Sequence, residues 1–112
     1  METNQKNTIR IIVKEPGKAP TVEFVPNDYK EMQKIVGGYI EAVYWPYINK
    51  PDYFLICNQE GKFIDDCHPN IKLPSDVIMG TVFITKVDEE ENVSVSEEDV
   101  NALIFSLASH AV

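Results

Sequence analysis

The chain has 112 residues, 44% of them apolar, and this length and composition fit one compact domain. Ten Lys and Arg against 18 Asp and Glu give a net charge of −8, and no basic cluster that could hold a nucleic-acid backbone occurs in the sequence. Two cysteines are too few for a disulfide scaffold, and no apolar stretch reaches the roughly 20 residues of a membrane-spanning helix. The N-terminus also lacks the apolar core of a signal peptide. We therefore expect a cytoplasmic protein that binds neither nucleic acid nor membrane directly.

The acidic residues are concentrated near the C-terminus. Residues 1–86 contain all ten cations and eleven acids, whereas residues 87–112 contain seven acids and no Lys or Arg. Such a run can attract a basic partner protein, although a charged run is more often a solvated surface. Both interpretations stay open for the acidic surface, which consists of Asp88, Glu89, Glu90, Glu91, Glu97 and Glu98.

The first third of the chain predicts a hairpin followed by a short helix. Two β-branched runs, 8–14 and 21–25, are separated by a Pro/Gly turn, which is typical of paired strands. Apolar residues then recur at helical spacing up to Val36, and Asp28 and Glu31 are placed as a capping box.

The glycine pair Gly37-Gly38 directly follows this helix. Gly37 suits a left-handed helix stop, and Gly38 allows the chain to turn into the next strand. A functional interpretation is compatible with this one, because a glycine without a side chain also lets a ligand approach the backbone.

The middle of the chain predicts further strands. Residues 39–45 have the alternation of a strand, and neither of its faces is purely polar, so we expect both faces to be partly covered. Residues 53–57 are predicted to form a buried strand. Gly61 suits a hairpin position with positive φ before a short return at 63–64. Residues 65–75, with two prolines, are expected to form a loop, and residues 76–86 the longest strand, with a bulge or close backbone approach at Gly80.

An acidic loop over 87–95 and a C-terminal helix over 96–110 complete the expected fold. Residues 96–99 resemble a capping box, and the apolar stripe of the helix is formed by Val100, Leu103, Ile104, Leu107 and Ala108. The sequence thus predicts a single α+β domain over 1–112. Its hairpin, first helix and antiparallel sheet of about five strands lie in 7–86, and the C-terminal helix lies on that sheet.

Several motifs resemble one family. They are Glu15-Pro-Gly-Lys18, Gln33-x-x-Val-Gly-Gly-Tyr-Ile-Glu41, Asn58-x-Glu-Gly-Lys62, Pro69-Asn70 and Gly80-Thr-Val-Phe83. Their order resembles DUF3846, a family of small domains of phages and mobile elements whose function is unknown. The chain departs from the family pattern where Ile71-Lys72 follows Asn70 in place of an arginine. The resemblance implies a bacterial cell, or the host cell of a phage, as the setting and implies no chemistry.

The sequence offers little support for catalysis or metal binding. Cys57, Cys67, His68 and His110 lack the paired spacing of a zinc site, and neighbours such as Cys67 and His68 point apart in an extended loop. No spacing brings any two of the acids Glu41, Glu60, Asp65 and Asp66 face to face. We expect no enzyme activity, no cofactor and no metal.

Two binding functions remain. In the first, the protein is a counter-defence inhibitor whose acidic surface docks on a host protein, such as a defence nuclease or another nucleic-acid-binding protein. In the second, a pocket near the glycine pair holds a nucleotide or phosphate, with Tyr39, Tyr44 or Trp45 as a stacking face. The candidate ligand- or partner-binding residues are Gly37, Gly38, Tyr39, Glu41, Trp45, Asn58, Lys62 and Asn70.

Overall fold

The structure, a computed structural model, describes residues 8–64 and 67–112. Residue 7 and the candidate acids Asp65 and Asp66 lie outside these ranges. The described residues form two α-helices, two 3-10 turns and eight strands, which confirms the predicted α+β fold. The strands are β1 (Thr8–Lys14), β2 (Thr21–Pro26), β3 (Ile40–Tyr44), β4 (Tyr53–Asn58), β5 (Pro69–Leu73), β6 (Asp76–Met79), β7 (Val82–Asp88) and β8 (Glu91–Val93), and the helices are α1 (Tyr29–Val36) and α2 (Val100–Ser109).

The main sheet is antiparallel and has six strands. Five of them lie in the order β2-β1-β7-β4-β3, and β8 pairs with the end of β7. Ile84 of β7 lies opposite both Ile12 of β1 and Leu55 of β4, so β7 occupies the centre. A second sheet consists of β5 and β6. The strands β1, β7 and β4 are therefore paired on both sides, whereas β2 and β3 form the two edges.

Each face of the main sheet has its own apolar core. On one face α2 and the small sheet pack over the central strands, with Trp45, Leu103 and Leu107 completely buried. On the other face α1 covers the sheet through Met32 and Val36, which belong to one buried cluster with Ile11 and Phe83. The predicted stripe of α2 is confirmed except for Ala108, which is exposed. Truncating Leu103 would cost about 2–5 kcal/mol because it would leave a cavity in the larger core.

The predicted N-cap residue and glycine stop of α1 are confirmed, whereas the Glu31 side chain contacts Lys34 Nζ at 3.1 Å in place of closing the expected capping box. The Asp28 side chain accepts a hydrogen bond from the Lys30 amide, and Gly37 adopts the left-handed conformation with φ of +85°. Both the Gly37 and the Gly38 amides donate to the Gln33 carbonyl, at 2.8 and 3.1 Å. The glycine pair therefore ends the helix with a Schellman-type arrangement.

The prediction of one continuous strand over 76–86 is wrong. Gly80, with φ of +82°, separates β6 from β7, and the two strands lie in different sheets. A Cβ on Gly80 would stand 2.9 Å from the Cys67 sulfur, so the expected close approach is present. The predicted loop over 65–75 contains β5, because this segment pairs with β6 despite beginning at a proline.

Two other local predictions are corrected. Gly61 does not adopt positive φ; it begins a 3-10 turn (Gly61–Phe63) that replaces the expected hairpin return. The strand β3 is mostly exposed, since it lies at the sheet edge and only Ile40 and Val43 are half-buried.

The acidic segment is more ordered than expected. The predicted loop over 87–95 contains β8, and α2 begins only at Val100, after a 3-10 turn (Glu97–Asp99). Ser96 does not cap a helix with its side chain; its hydroxyl instead accepts a hydrogen bond from Lys86 Nζ at 2.9 Å. The segment thus returns along β7 before it enters the helix.

Candidate functional site

The turn between β7 and β8 presents four consecutive carboxylates, here named the acidic hairpin (Asp88, Glu89, Glu90 and Glu91). Asp88 pairs with Glu91, so only two residues form the loop, and these have φ of +49° and +69°. Positive φ at both loop positions is the pattern of a type I′ turn, which normally carries Asn-Gly. All four side chains are exposed. Glutamates thus occupy two positions that favour other residues.

The acidic hairpin is anchored at its base. The Asn27 side chain donates to the Asn92 carbonyl at 3.0 Å, and the Arg10 amide donates to the Ser94 hydroxyl at 3.0 Å. The Val95 amide in turn donates to the Arg10 carbonyl. These contacts attach the returning strand to β1 and the loop before α1, so the carboxylates project from a fixed support.

The nearby cations are engaged elsewhere. Arg10 lies 3.9 Å from Glu97, Lys50 lies 2.9 Å from Asp99, and Lys86 lies 3.8 Å from Asp52. Within residues 8–64 and 67–112, no ion pair reaches the acidic hairpin or Glu98. This end of the molecule therefore keeps an uncompensated negative surface.

Asp99 differs from the other acids, because it is only 7% exposed. It accepts a hydrogen bond from the Tyr53 hydroxyl at 2.6 Å, and this bond, followed by the contact with Lys50, lowers the pKa of Asp99. Burial and the same hydrogen bond raise the pKa of Tyr53. Asp99 joins the 3-10 turn before α2 to β4 and contributes to stability. No local pattern in the sequence marks this pair, whose members are 46 residues apart.

The expected backbone cradle at the glycine pair is not available. The Gly37 and Gly38 amides are already bonded to Gln33, and the negative end of a helix dipole disfavours an anion there. A Cβ on Gly38 would stand 2.8 Å from the Asn58 side chain, which donates to the Val36 carbonyl. Gly38 is thus required for packing, and replacing it with alanine should lower stability rather than leave it unchanged.

A groove does run past this turn. Tyr39, 67% exposed, lies beside Lys30 and Lys34 along an open depression of about 480 Å³. Lys34 is paired with Glu31 at 3.1 Å. The groove offers an aromatic ring and ammonium groups, without amide donors from the glycines.

Three other candidate residues meet in a separate cleft of about 160 Å³. Glu41, Asn58 and Lys62 line it together with Cys57 and Asp76. Lys62 is ion-paired with Asp76, which lowers the pKa of Asp76. Burial, followed by the charges of Glu41 and Asp76, raises the pKa of the Cys57 thiol to about 11. A thiol held in this form is a poor nucleophile.

Trp45 and Asn70 are corrected from candidate binding residues to residues of the interior. Trp45 is completely buried beneath α2 and donates to the Ser106 hydroxyl at 2.9 Å, so no ligand can stack on it. Asn70 is 1% exposed; its side chain donates to the Lys14 and Gly80 carbonyls. Asn70 therefore connects β1, β5 and the break before β7.

The described part of the chain contains no group of three or more His, Cys, Asp or Glu residues that could hold a metal ion. Cys67 is half-buried and His68 exposed. Between residues 8 and 112, leaving out 65 and 66, neither helix has the length and apolar character needed to cross a bilayer.

The fold and the acidic end define a small α+β domain with a charged hairpin at one end of its sheet. Residues 9–107 match the model of the family described as "Domain of unknown function (DUF3846)", so the chain belongs to that family. No curated protein and no solved structure matches the chain.

Proposed function

We propose that this protein is a non-enzymatic binding protein whose acidic hairpin docks on the basic surface of a host protein. The partner would be a defence nuclease or another protein that normally holds nucleic acid, and the protein would act as a counter-defence inhibitor of phage or mobile-element type. A protein surface that binds a phosphate backbone is lined by Lys and Arg. A projecting row of carboxylates can bind the same basic residues and so compete with the nucleic acid.

The observation that carries this proposal is the pair of glutamates at left-handed positions. A non-glycine residue in this conformation costs about 1–2 kcal/mol, and Asn-Gly would avoid much of that cost. Backbone strain of this kind is found preferentially at functional sites. Glu89 and Glu90 place carboxylates at the tip of a supported hairpin, where a partner can reach them.

The charge distribution supports the same proposal. Acids without a local counter-ion attract a basic partner from a distance and speed association, and this effect weakens as salt rises. With seven acids and no Lys or Arg, residues 87–112 supply most of the net charge.

The test replaces Glu89, Glu90 and Glu91 with glutamine. Exposed charges contribute little to stability, so the free energy of unfolding should change by less than about 0.5 kcal/mol. Parent and variant are used as bait in a bacterial lysate, and captured proteins are quantified at low and high salt. Proteins held through the hairpin should be lost from the variant and should leave the parent as salt rises.

The matched control carries Glu15→Gln, Glu23→Gln and Glu60→Gln, three exposed acids outside the hairpin. It has the same net charge as the hairpin variant, so it separates the local surface from overall charge. The proposal predicts that this control captures the same proteins as the parent. Identical capture by all three baits would reject the acidic hairpin as a docking site.

A second candidate is binding of a nucleotide-like ligand in the groove beside Tyr39. The exposed ring next to Lys30 and Lys34 favours it, because a base can stack on the ring while a phosphate meets the ammonium groups. ATP should then bind the parent and lose about 1–3 kcal/mol of affinity with Tyr39→Ala, as measured by calorimetry. ATP binding that is equal in both proteins would exclude this groove.

A further inference from the structure

A buried lysine lines neither the acidic hairpin nor the groove beside Tyr39. Lys14, the last residue of β1, is only 3% exposed. Its Nζ donates to the Glu15 carbonyl at 2.8 Å and to the Asn70 side-chain oxygen at 2.9 Å. Both acceptors are neutral. An ammonium group has three donors, and within residues 8–64 and 67–112 no third acceptor and no carboxylate partner is present.

An ammonium group in this setting is unusual. Fully buried lysines are rare unless paired, because removing the charge from water is costly when no opposite charge compensates it. Burial accordingly lowers the pKa of Lys14. An anion placed beside Nζ would offset this cost and use the spare donor.

A cavity of about 310 Å³, open to solvent on one side, is lined by Lys14, so an anion bound in it would lie beside this residue. It is bounded by the turn between β1 and β2 and by the end of α2, and Lys14 and Lys18 both line it. Lys18 is 3.6 Å from Glu15, but both side chains are mostly exposed, so this ion pair is weak. The remaining walls are largely apolar and include Ala19, Pro20, Ala108 and Ala111.

We propose that this cavity binds a small aliphatic carboxylate. Its carboxylate accepts a hydrogen bond from Lys14 and faces the Lys18 ammonium, while its hydrocarbon part packs against the alanine and proline walls. The cavity has the volume of a small-molecule site, and the combination of apolar walls with a few convergent polar groups is typical of one. A phosphate fits less well, because the largely apolar walls would leave its oxygens on that side without hydrogen-bond donors.

The probe is hexanoate, titrated into ¹⁵N-labelled protein and followed by the backbone amide signals. The amides of Gly17, Ala108 and Ala111 should shift and saturate below about 10 mM. Hexanamide, which has the same shape without the charge, should bind at least about tenfold more weakly, since charged hydrogen bonds are the stronger ones. Equal affinity for hexanoate and hexanamide would overturn the carboxylate assignment.

Two variants locate the site without depending on each other. Lys14→Met removes the buried ammonium and should abolish saturation, while Ala108→Leu, at an exposed helical position, keeps the lysine and reduces the cavity. Lys34→Gln, on α1 at the other face of the sheet, is the control and should bind hexanoate like the parent. Unchanged binding by Ala108→Leu would overturn the site even if Lys14→Met proved too unstable to titrate.

Discussion

Two parts of the same acidic segment use their carboxylates in opposite ways. Asp99 is nearly buried, accepts a hydrogen bond from the Tyr53 hydroxyl and contacts Lys50. The acidic hairpin, Asp88–Glu91, is exposed and has no ion pair within the described residues. The first carboxylate stabilises the fold, whereas the other four leave their charge to the solvent or to a partner.

The difference originates in contacts made far along the chain. Asp99 meets Tyr53 because β4 lies beside β7 in the main sheet and the segment after β8 crosses its end. The hairpin lies beyond the last pairs of β7 with β1 and β4, and no ion pair from the described strands reaches its carboxylates. A net charge counted along the sequence treats these acids alike, although their energetic roles differ.

Among the changes that test this difference between carboxylates, the largest effect is expected from Asp99→Ala. It leaves the buried Tyr53 hydroxyl without its acceptor and removes a charged hydrogen bond, which should lower the free energy of unfolding by about 2–3 kcal/mol. The contact with Lys50 adds little, because that lysine is largely exposed. Urea denaturation measures the change. The neighbouring Glu98→Ala serves as the control and should change stability by less than about 0.5 kcal/mol. Equal losses in the two variants would show that Asp99 stabilises the fold no more than an exposed acid does.

Most elements of the fold could be predicted where their signals are local. The α1 helix has its cap at Asp28 and its stop at Gly37, which directly flank the helix in the sequence. The β8 strand was missed because its turn has Glu-Glu where Asn-Gly would mark a hairpin. The β5 strand was missed because it begins at Pro69 and is stabilised by β6, which the sequence joined to β7.

The candidate site was less predictable, because burial depends on distant packing. Asn58 and Lys62 reach one cleft through the local turn after β4, as their spacing suggests. Trp45 resembled a surface aromatic at a strand end, but Ser106 of α2, 61 residues away, binds its indole. The burial of Lys14 likewise depends on Asn70, which is 56 residues away and accepts a hydrogen bond from its Nζ.

A smaller effect is expected from Tyr53→Phe. The hydroxyl donates to Asp99 and accepts from the Ser96 amide at 3.2 Å, so its loss should cost about 1–2 kcal/mol. Tyr44→Phe, which removes an exposed hydroxyl bonded to the Lys50 carbonyl, is the matched control and should stay within about 0.5 kcal/mol. Similar losses of stability in both variants would show that the Tyr53–Asp99 hydrogen bond contributes no more than an exposed one.

Tyr53→Phe should also change how the stability of the protein depends on pH in the acid range. The folded pKa of Asp99 is lowered, chiefly by the Tyr53 hydrogen bond, so its contribution is present above the unfolded value of 3.8 and is lost as pH falls through the folded pKa. Without the hydroxyl, the folded pKa of Asp99 should rise toward 3.8. Melting temperatures measured from neutral pH downward should therefore fall less steeply in Tyr53→Phe than in the parent. Parallel curves would contradict this linkage.

The smallest expected effect is a gain in stability at the hairpin. Replacing Glu89 with Asn and Glu90 with Gly gives the turn the residues that its backbone prefers, which should add about 1 kcal/mol. The control Asp88→Asn with Glu91→Gln removes two charges from the flanking positions and leaves the left-handed residues in place. Calorimetric melting should separate the two double variants, with only the first more stable than the parent.

Association with a basic partner gives the second readout for the same pair of variants. If the glutamates occupy the left-handed positions because the tip is the contact surface, the Asn-Gly variant should associate more slowly than the flanking control, although both have lost two charges. Stability and binding then change in opposite directions at the same two residues. An Asn-Gly variant that is no more stable than the parent would show that the turn carries no strain. Equal association rates for the two variants would show that total charge, rather than the position of the carboxylates, governs docking.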